Sequence, residues 1–474
     1  MRLENIVRDL NLRFDAKAAH LFSRLALAHD DVVPLHAVAQ IHEIATCEKP
    51  TEPFSYHEIS TVDEFGSGEP YQIDEVNVER GSEEERILAK VRNGDICFPR
   101  ADTILIPKVR PHLGKFVLVR DNNRTYYTRA FLEAVPKGIS AELLYCVLKH
   151  PLVLWQINRI ATIGKGYPTI SPFDLTRFVR VPSRLIGVAS ETDRTIGEEL
   201  HILLDILSGL RDERQIIDAV LKECLDNSTD LSLPAKSFTC SHSRLGMSFD
   251  LRFSAHFVQP DNVHRIEHLR QFDTVKIIAL CAVPICLGVS PELNIDESEY
   301  RYLGSQAMTA ERLYPEKLGF VSEEYYRAMV PHFGVNYGDV FVRRSGASLG
   351  KVLYFDSDIP CIFSDFMMRI RFRELILGKF TAYWMRSTLF QNYIKATAIV
   401  GKGLQNIYPY QVAIMPVLNP NKYDILHFVE AIDIEMSRND QTRAEVKNRM
   451  SSLEERLSLE LDFAGLGELL LGHR

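Results

Sequence analysis

The most constraining feature of this sequence is that one set of short motifs occurs twice, in the same order, along the chain. The pairs, each with the spacing between its members, are Phe14-Asp15 with Phe249-Asp250 (235), Gly94-Asp95-Ile96 with Gly338-Asp339-Val340 (244), Leu113-Gly114-Lys115 with Leu349-Gly350-Lys351 (236), Gly164-Lys165-Gly166 with Gly401-Lys402-Gly403 (237), and FVRVP ending at Pro182 with VAIMP ending at Pro416 (234). Each motif alone is short enough to arise by chance. Five pairs in one order at nearly one spacing indicate a duplication.

The two copies also share a pattern of predicted strands and helices. Strand-like apolar runs lie at 95–98 and 115–119 in the first copy and at 339–342 and 351–355 in the second. Helix-like stretches follow at 141–159 and 380–395, each followed by the Gly-Lys-Gly loop and a last strand that ends in proline. Each copy is therefore predicted to be a mixed α/β (α+β) domain of about 180 residues.

A different pattern follows each copy, in which seam positions alternate in steps of four and three residues. The first series is Ile196, Leu200, Leu203, Leu207, Leu210, Arg214, Ile217, Leu221 and Cys224, and the second is Ile425, Val429, Ile432, Met436, Asn439, Arg443, Val446, Met450, Leu453 and Leu457. Such heptad spacing predicts two long helices that pack on each other as an antiparallel coiled coil. The alternative is that each helix packs on its own domain. The polar seam residues are expected to fix the register.

These patterns divide the chain into four predicted parts. They are a first domain at 1–185, a first long helix at 186–228, a second domain at 229–418, and a second long helix with a tail at 419–474. The longest apolar run, 277–289, contains Pro284 and is too short for a membrane helix, so we expect no membrane association. The eight scattered cysteines are expected to be free thiols in a reducing cytoplasm.

The motifs of common nucleic-acid enzymes are missing from the sequence. It has no GxxxxGK[ST] phosphate loop and no Asn/Asp-Pro-Pro-aromatic string of the kind that grips a flipped adenine. Asp356, Asp358 and Asp365 are close in sequence but are interpreted as turn and strand-edge residues rather than magnesium ligands. We therefore expect a chain that is not an enzyme and holds no cofactor or metal. Its net charge of −8 does not argue against DNA, since a DNA-binding protein needs only a local basic surface.

Two α/β units, each followed by a long helix, resemble the specificity subunit of Type I restriction-modification systems. The resemblance covers essentially the whole chain, and its residues are the Phe-Asp pairs, the Gly-Asp-Ile/Val and Leu-Gly-Lys strands, and the two helix–Gly-Lys-Gly–strand–Pro endings. It implies that each unit is a target-recognition domain that reads half of a split DNA site in the major groove. It also implies that the helices set the spacing and dock two methyltransferase subunits, which restriction/translocase subunits join. The partners, not this chain, would use S-adenosylmethionine, ATP and magnesium.

Two basic islands indicate where DNA would be contacted. Residues 143–182 carry five Lys or Arg and one acid, and 381–417 carry three and none. We expect Lys165 and Lys402 at phosphates, Tyr167 and Thr169 near bases in one half-site, and Gln405 and Asn406 at adenine edges in the other. The further predicted contacts are Lys108, Arg110 and Lys115 in the first unit and Arg343, Arg344, Ser345 and Lys351 in the second.

The two copies also differ, and other functions stay open. An acidic stretch at 64–85 and an extra loop at 102–110 are predicted only in the first copy, and a DNA-contacting loop there would make the two units read different sequences. One alternative function is a specificity-like subunit of another phage-defence complex, which only the neighbouring genes would distinguish. A second is an interaction scaffold without DNA binding, and a third is an enzyme of another kind.

Overall fold

A computed structural model describes residues 31–74, 83–120, 125–164, 167–225, 260–291, 295, 297–309, 312–346, 349–401 and 404–471. The Phe-Asp motifs and two predicted phosphate contacts, Lys165 and Lys402, lie outside the described residues. The chain divides into two compact units. Unit 1 combines Met1–Leu210 with Gln441–Arg474, and unit 2 is Arg211–Asp440. The four-part division drawn from the sequence stays a prediction.

Unit 1 is built on a four-stranded antiparallel sheet with smaller sheets beside it. Its strands are β1 (Val32–Pro34), β2 (Ala39–Glu43), β3 (Phe54–His57), β4 (Tyr71–Ile73), β5 (Thr103–Pro107), β6 (Val117–Val119), β7 (Thr125–Tyr127), β8 (Phe131–Pro136), β9 (Thr162–Gly164), β10 (Tyr167–Thr169) and β11 (Arg180–Pro182). The main sheet has the order β2-β8-β5-β6, a second has the order β4-β3-β7, and β1-β11 and β9-β10 form separate pairs. In β5 all five residues are buried, as expected for a strand inside a sheet that is covered on both faces.

The helices of unit 1 pack around these sheets. They are α1 (Glu83–Arg92), which packs against the smaller three-stranded sheet, α2 (Ala141–Lys149), α3 (Pro151–Ile160), α4 (Pro172–Phe178) and α5 (Ser190–Ser208). The predicted helix at 141–159 is thus two helices, because Pro151 cannot continue the hydrogen bonding of α2 and begins α3 instead. The Ser140 side chain caps α2 by accepting a bond from the Leu143 N–H.

Unit 2 repeats this architecture. Its strands are β12 (Thr274–Lys276), β13 (Cys286–Leu287), β14 (Arg301–Leu303), β15 (Met308–Thr309), β16 (Arg312–Leu313), β17 (Gly319–Phe320), β18 (Val340–Arg343), β19 (Val352–Tyr354), β20 (Cys361–Phe363), β21 (Met367–Ile370), β22 (Ile399–Gly401), β23 (Leu404–Asn406) and β24 (Pro416–Leu418). The main sheet has the order β13-β21-β18-β19, and the second has the order β17-β14-β20. The pairs β12-β24 and β22-β23 match β1-β11 and β9-β10, while β15-β16 is additional.

The helices repeat as well. Those of unit 2 are α6 (Glu213–Leu225), α7 (Pro260–Leu269), α8 (Glu323–Phe333), α9 (Leu375–Arg386), α10 (Thr388–Thr397) and α11 (Pro409–Ile414), and the chain ends with α12 (Ile425–Glu460) and α13 (Phe463–Leu471). The predicted helix at 380–395 is also broken, at Ser387, whose side chain caps α10. The predicted mixed helix-and-sheet class is confirmed, and each described sheet of unit 1 has a counterpart in unit 2.

Two glycines explain why one motif marks the same turn in both units. Gly114 and Gly350 adopt φ values of 64° and 77°, a left-handed conformation that side chains rarely accept. Each glycine begins the short link to an equivalent strand, β6 or β19. The Leu-Gly-Lys motif is therefore a turn that the fold requires twice.

The structure corrects three details of the predicted repeat. The supposed extra loop at 102–110 is wrong, because 103–107 is strand β5, the counterpart of β18. The extra residues of the first copy lie before β5. There the predicted strand at 95–98 is absent, apart from single β-bridges at Cys97. The alignment of the last strands is also corrected. Val181 in β1-β11 and Val417 in β12-β24 occupy the same position, so Pro182 and Pro416 do not correspond.

The predicted long helices are present, although the first is interrupted. Helix α5 ends at Gly209, and Asp212 begins α6 by accepting a bond from the Gln215 N–H at 2.7 Å. Asn439 supplies a further bond at this break, donating from Nδ2 to the Arg211 carbonyl at 2.7 Å. The second helix, α12, continues without a break for 36 residues.

Within each unit, parts of both long helices share one core. In unit 1 Arg184 forms an ion pair with Asp462 (3.3 Å) and Glu199 forms one with Arg456 (3.1 Å). The residue numbers rise along the first segment while they fall along the second, as in an antiparallel pair. In unit 2 Arg312 bridges Glu213 (3.7 Å) and Asp440 (3.2 Å). These contacts fit the predicted antiparallel pairing inside each unit.

The helices also pack on their own domains. Glu142 of α2 accepts a bond from His201 of α5 at 2.7 Å, and α5 shares its apolar core with both α2 and the last part of α12. The arrangement that the sequence left as an alternative therefore exists together with the helix pairing. The buried face is wider than a two-residue seam because it has to serve both neighbours.

Most predicted seam residues lie in these cores. Buried or partly buried are Leu200, Leu203, Leu207, Leu210, Ile217, Ile432, Met436, Val446 and Met450. Asn439 is half-buried, whereas the predicted seam residue Arg214 is exposed. Arg443 is a correction: it is exposed, because burying a guanidinium costs free energy that a seam position does not return. Cys224 is likewise exposed. Among the described residues, no helix is long and apolar enough to span a membrane.

Candidate nucleic-acid interface

In unit 1 a hairpin and a basic segment lie side by side. The hairpin is β9-β10, with Tyr167 opposite Gly164. The segment is 108–110, directly after β5, and its backbone holds the hairpin's second strand through bonds from Arg110 N to Pro168 O (2.8 Å) and from Ile170 N to Lys108 O (3.0 Å). Two sets of predicted DNA contacts, far apart in sequence, are thus brought together.

One cation–π contact organises the side chains of this surface. The Arg110 guanidinium carbon lies 4.5 Å from the centre of the Tyr167 ring, and Tyr167 is 51% exposed. Arg110 itself has a φ of 51°, unusual for a residue with a side chain, and Gly346 takes the corresponding place in unit 2 with a φ of 80°. The two groups form an exposed pair that combines hydrogen-bond donors with an aromatic face.

Unit 2 has the same backbone arrangement. Hairpin β22-β23 ends beside the 343–345 segment, where Ser345 pairs with Asn406 as Val109 pairs with Thr169 in unit 1. The Ile407 N–H donates to Arg344 O at 2.9 Å, which matches the bond from Ile170 to Lys108. The two surfaces therefore share one scaffold.

The predicted cations of these segments differ in their surroundings. In unit 1 the Lys108 Nζ forms an ion pair with Glu43 at 2.7 Å. In unit 2 the Arg344 Nη1 donates weakly to Asp365 O at 3.4 Å, and its Nε is enclosed without a partner among the described residues. Burial lowers the pKa of Arg343 from its ordinary value. Arg344 is thus a half-buried cation whose guanidinium still has an unsatisfied N–H donor.

The lysines of the two Leu-Gly-Lys motifs are half-buried beside these surfaces. Lys115 donates from Nζ to Val62 O at 2.6 Å, which ties it to the interior of unit 1. Lys351 lies at the corresponding position, and its backbone carbonyl accepts a bond from Arg343 N at 2.9 Å. Of the hairpin residues, Thr169 is exposed and Asn406 is half-buried, whereas Gln405 is described only through its backbone in β23.

The basic islands are smaller than the sequence suggests. Lys149 donates to the carbonyls of Glu64 and Gly114, and burial lowers its pKa. Arg180 and Arg386 are also buried, at 7% and 5% exposure. These three cations stabilise the fold rather than contribute to an exposed basic surface.

Sequence reasoning missed one turn that belongs to the same surface. The N–H of Lys108 donates to Ala130 O at 2.8 Å, and the N–H of Arg344 donates to Phe366 O at 3.1 Å. The turn before β8 therefore lies against the basic segment in unit 1, and the turn before β21 does so in unit 2. The available signal in the sequence was an aromatic residue, Phe366, directly after the turn-forming Ser364 and Asp365, and the structure leaves its side chain 56% exposed.

No family model and no curated protein matches the chain. Among solved structures, the chain is similar to the HsdS subunit from Thermoanaerobacter tengcongensis, with 14% identity, 93% of this chain and 96% of that chain covered, and a TM-score of 0.31. It is similar to the Type-I restriction-modification system S subunit from M. genitalium, with 12% identity, 92% and 98% covered, and a TM-score of 0.36. The type IIG restriction endonuclease BpuSI matches at 11% identity, 83% and 46% covered, and a TM-score of 0.30. Over more than nine-tenths of its length, the chain is thus similar to specificity subunits of Type I restriction-modification systems.

Proposed function

We propose that this chain is the DNA-recognition subunit of a Type I restriction-modification complex and that it reads a bipartite site. The observation that carries the proposal is the repeated juxtaposition of a basic segment and a hairpin, on one scaffold but with different side chains. A duplicated scaffold with different exposed groups is suited to two different half-sites, because base edges are distinguished by donors, acceptors and apolar contacts.

The candidate contact residues divide into two roles. Lys165 and Lys402, which lie in the sequence between the two strands of each hairpin, would neutralise phosphates and supply the salt-dependent part of the affinity. Arg110 with Tyr167 in unit 1, and Arg344 with Asn406 in unit 2, would reach base edges, since guanidinium and amide groups can form paired bonds to guanine and adenine. Thr169 and Ser345 would contribute shorter polar contacts beside them.

The long helices would dock the catalytic partners. Each unit carries one segment of each helix, so the chain offers two related helix-pair surfaces. Two related surfaces suit two copies of one partner, which supports docking of two methyltransferase subunits, with restriction subunits joining through them. Exposed apolar residues on α12, among them Ile434 at 59%, are available for such contacts.

Selection of bound duplexes from a random DNA library tests the recognition function. We expect the full-length chain to select a site with two specified parts and an unspecified gap. Replacing both Gln405 and Asn406 by Ala should relax only one part, because each paired amide contact carries about 1–3 kcal/mol of discrimination. Lys402→Ala should leave the selected sequence unchanged and reduce the salt dependence by about one unit of slope. Loss of both parts together in the Gln405/Asn406 variant would contradict independent reading.

A second experiment tests the assignment of the chemistry to partners. The purified chain, supplied with S-adenosylmethionine, ATP and magnesium, is expected neither to methylate nor to cleave DNA. Methylation or cleavage that co-purifies with the chain at constant specific activity would show that it is itself an enzyme.

A further inference from the structure

The turn of unit 2 that precedes β21 carries an exposed aromatic ring on a fixed backbone. The Phe366 N–H donates to the Ser364 hydroxyl at 3.1 Å, and its carbonyl accepts from the Arg344 N–H at 3.1 Å. The backbone of Phe366 is therefore fixed at both its N–H and its carbonyl, although the side chain is 56% exposed. Its position is set by the turn and does not depend on burial of the ring.

The turn that carries this ring lies against the basic segment of unit 2. The Arg344 guanidinium reaches the same turn, with Nη1 at 3.4 Å from Asp365 O. Arg344 also accepts, through its carbonyl, the bond that holds the end of the β22-β23 hairpin. The turn that carries the ring thus lies beside Arg344 and the hairpin that are proposed to reach base edges.

The duplicated scaffold supplies an internal comparison. In unit 1 the carbonyl at this place belongs to Ala130, bonded to Lys108 N, so the two units differ by Ala against Phe and by Lys against Arg at equivalent points. The fold itself does not require an aromatic residue there, because unit 1 forms the same bond with alanine. The ring is then explained by what it contacts outside the chain.

We infer that Phe366 is a specificity-determining residue that contacts the 5-methyl group of a thymine next to the base read by Arg344. The inference rests on the proposed function. The thymine methyl is the one apolar group that a base pair presents in the major groove, and aromatic side chains are among its partners. Arg344 would supply hydrogen bonds to the neighbouring base, and Phe366 the apolar contact that sets the adjacent position.

Deoxyuridine tests this contact because it pairs like thymine but lacks the methyl group. The duplex selected by the full-length chain is prepared with each thymine of the half-site assigned to unit 2 replaced in turn by deoxyuridine. We expect one replacement to weaken binding about fourfold, the effect of losing one buried carbon from an apolar contact. Phe366→Ala should bind thymine and deoxyuridine duplexes equally, while Phe366→Leu keeps an apolar side chain and should retain part of the difference.

Leu375→Ala is the matched control, since Leu375 of α9 is similarly exposed at 57% and lies beside Gly338, at the end of β18 opposite to Arg343. It should retain the full sensitivity to deoxyuridine. If no thymine is selected in this half-site, or if wild type and Phe366→Ala respond equally to deoxyuridine, the inference is wrong although recognition stands. A chain that selects no sequence at all would overturn the proposed function itself.

Discussion

Asp339, the acidic residue of the second Gly-Asp motif, is expected to be the most costly single charge to remove from unit 2. It is 1% exposed and binds Arg371 through two parallel bonds, from Nε to Oδ1 and from Nη2 to Oδ2, both 2.7 Å. It also accepts the Asn336 N–H at 2.8 Å. The contact raises the pKa of Arg371, as expected when a carboxylate stabilises a cation.

Asp339→Ala would leave the Arg371 guanidinium, 26% exposed, without this counter-charge. The buried Arg369 lies close by and donates to the same carbonyl, Gly334 O, so the two cations would then repel each other. Breaking a buried ion pair by removing one partner costs about 3–5 kcal/mol. For a unit of this size, that corresponds to a fall in Tm of roughly 6–20 °C.

Asp95 of the first Gly-Asp motif provides a comparison, although it does not occupy the same place in the fold as Asp339. Asp95 is half-buried and accepts bonds from the Thr128 hydroxyl (2.9 Å) and the Arg129 backbone N–H (2.8 Å), both uncharged donors. Asp95→Ala should cost only about 1–2 kcal/mol, because it leaves two neutral donors without an acceptor and no unpaired cation. The same substitution in the two Gly-Asp motifs is therefore predicted to differ in its cost by about 1–4 kcal/mol.

The two tryptophans allow each unit to be followed separately. Trp384 is fully buried in unit 2, where its Nε1 donates to Pro416 O at 3.0 Å, and Trp155 is part of unit 1. Urea unfolding followed by Trp384 fluorescence in a Trp155→Phe background measures the Asp339 variant, and the reciprocal background measures the Asp95 variant. Equal losses for both variants, or a loss below about 1 kcal/mol for Asp339→Ala, would refute the assignment of the ion pair.

Three other predictions follow from the structure. Tyr167→Ala should remove the ring beneath Arg110 and relax only the half-site read by unit 1, as measured by library selection. Gly350→Ala should cost about 1–2 kcal/mol in urea unfolding, because φ is 77° and its new Cβ would lie 3.1 Å from Ile394. Burial holds the pKa of His150 at about 4, below its usual 6.5, so unit 1 should lose stability as pH falls from 6.5 to 4, and His150→Asn should reduce this loss in pH-dependent unfolding.

The sequence predicted the scaffold of the candidate site because the motifs that mark it are turns with strict backbone requirements. The Leu-Gly-Lys glycines must take positive φ, so they survive as recognisable letters in both copies. The segments beside them, with Lys108, Arg110, Arg343 and Arg344, could be placed relative to these turns. Their meeting with the hairpins could not be predicted from the repeat, because the bonds that join them are long-range.

Burial of the cations could not be predicted in the same way. Lys149 follows an apolar helix and reads as a surface lysine, but its ammonium group is held by carbonyls at Glu64 and Gly114, far away in sequence. The break in the first long helix had a local signal that heptad counting overrode. Asp212 and Gln215 exchange side-chain-to-backbone bonds as a capping pair, and Gly209 ends the preceding helix.

The composition of unit 1 has a consequence for how the chain is made. His150 stacks on Phe463 with ring centres 3.7 Å apart and bonds to the Ser458 hydroxyl at 2.8 Å, while Leu461 and Leu466 are buried in the same core. Synthesis of these last elements comes after all of residues 211–440. During translation, the first unit must therefore remain incomplete, with part of its apolar core uncovered, until the second has been produced. A nonsense mutation after residue 440 should consequently damage the unit encoded at the opposite end of the gene, and unit 2 should be the first to resist proteolysis on the ribosome.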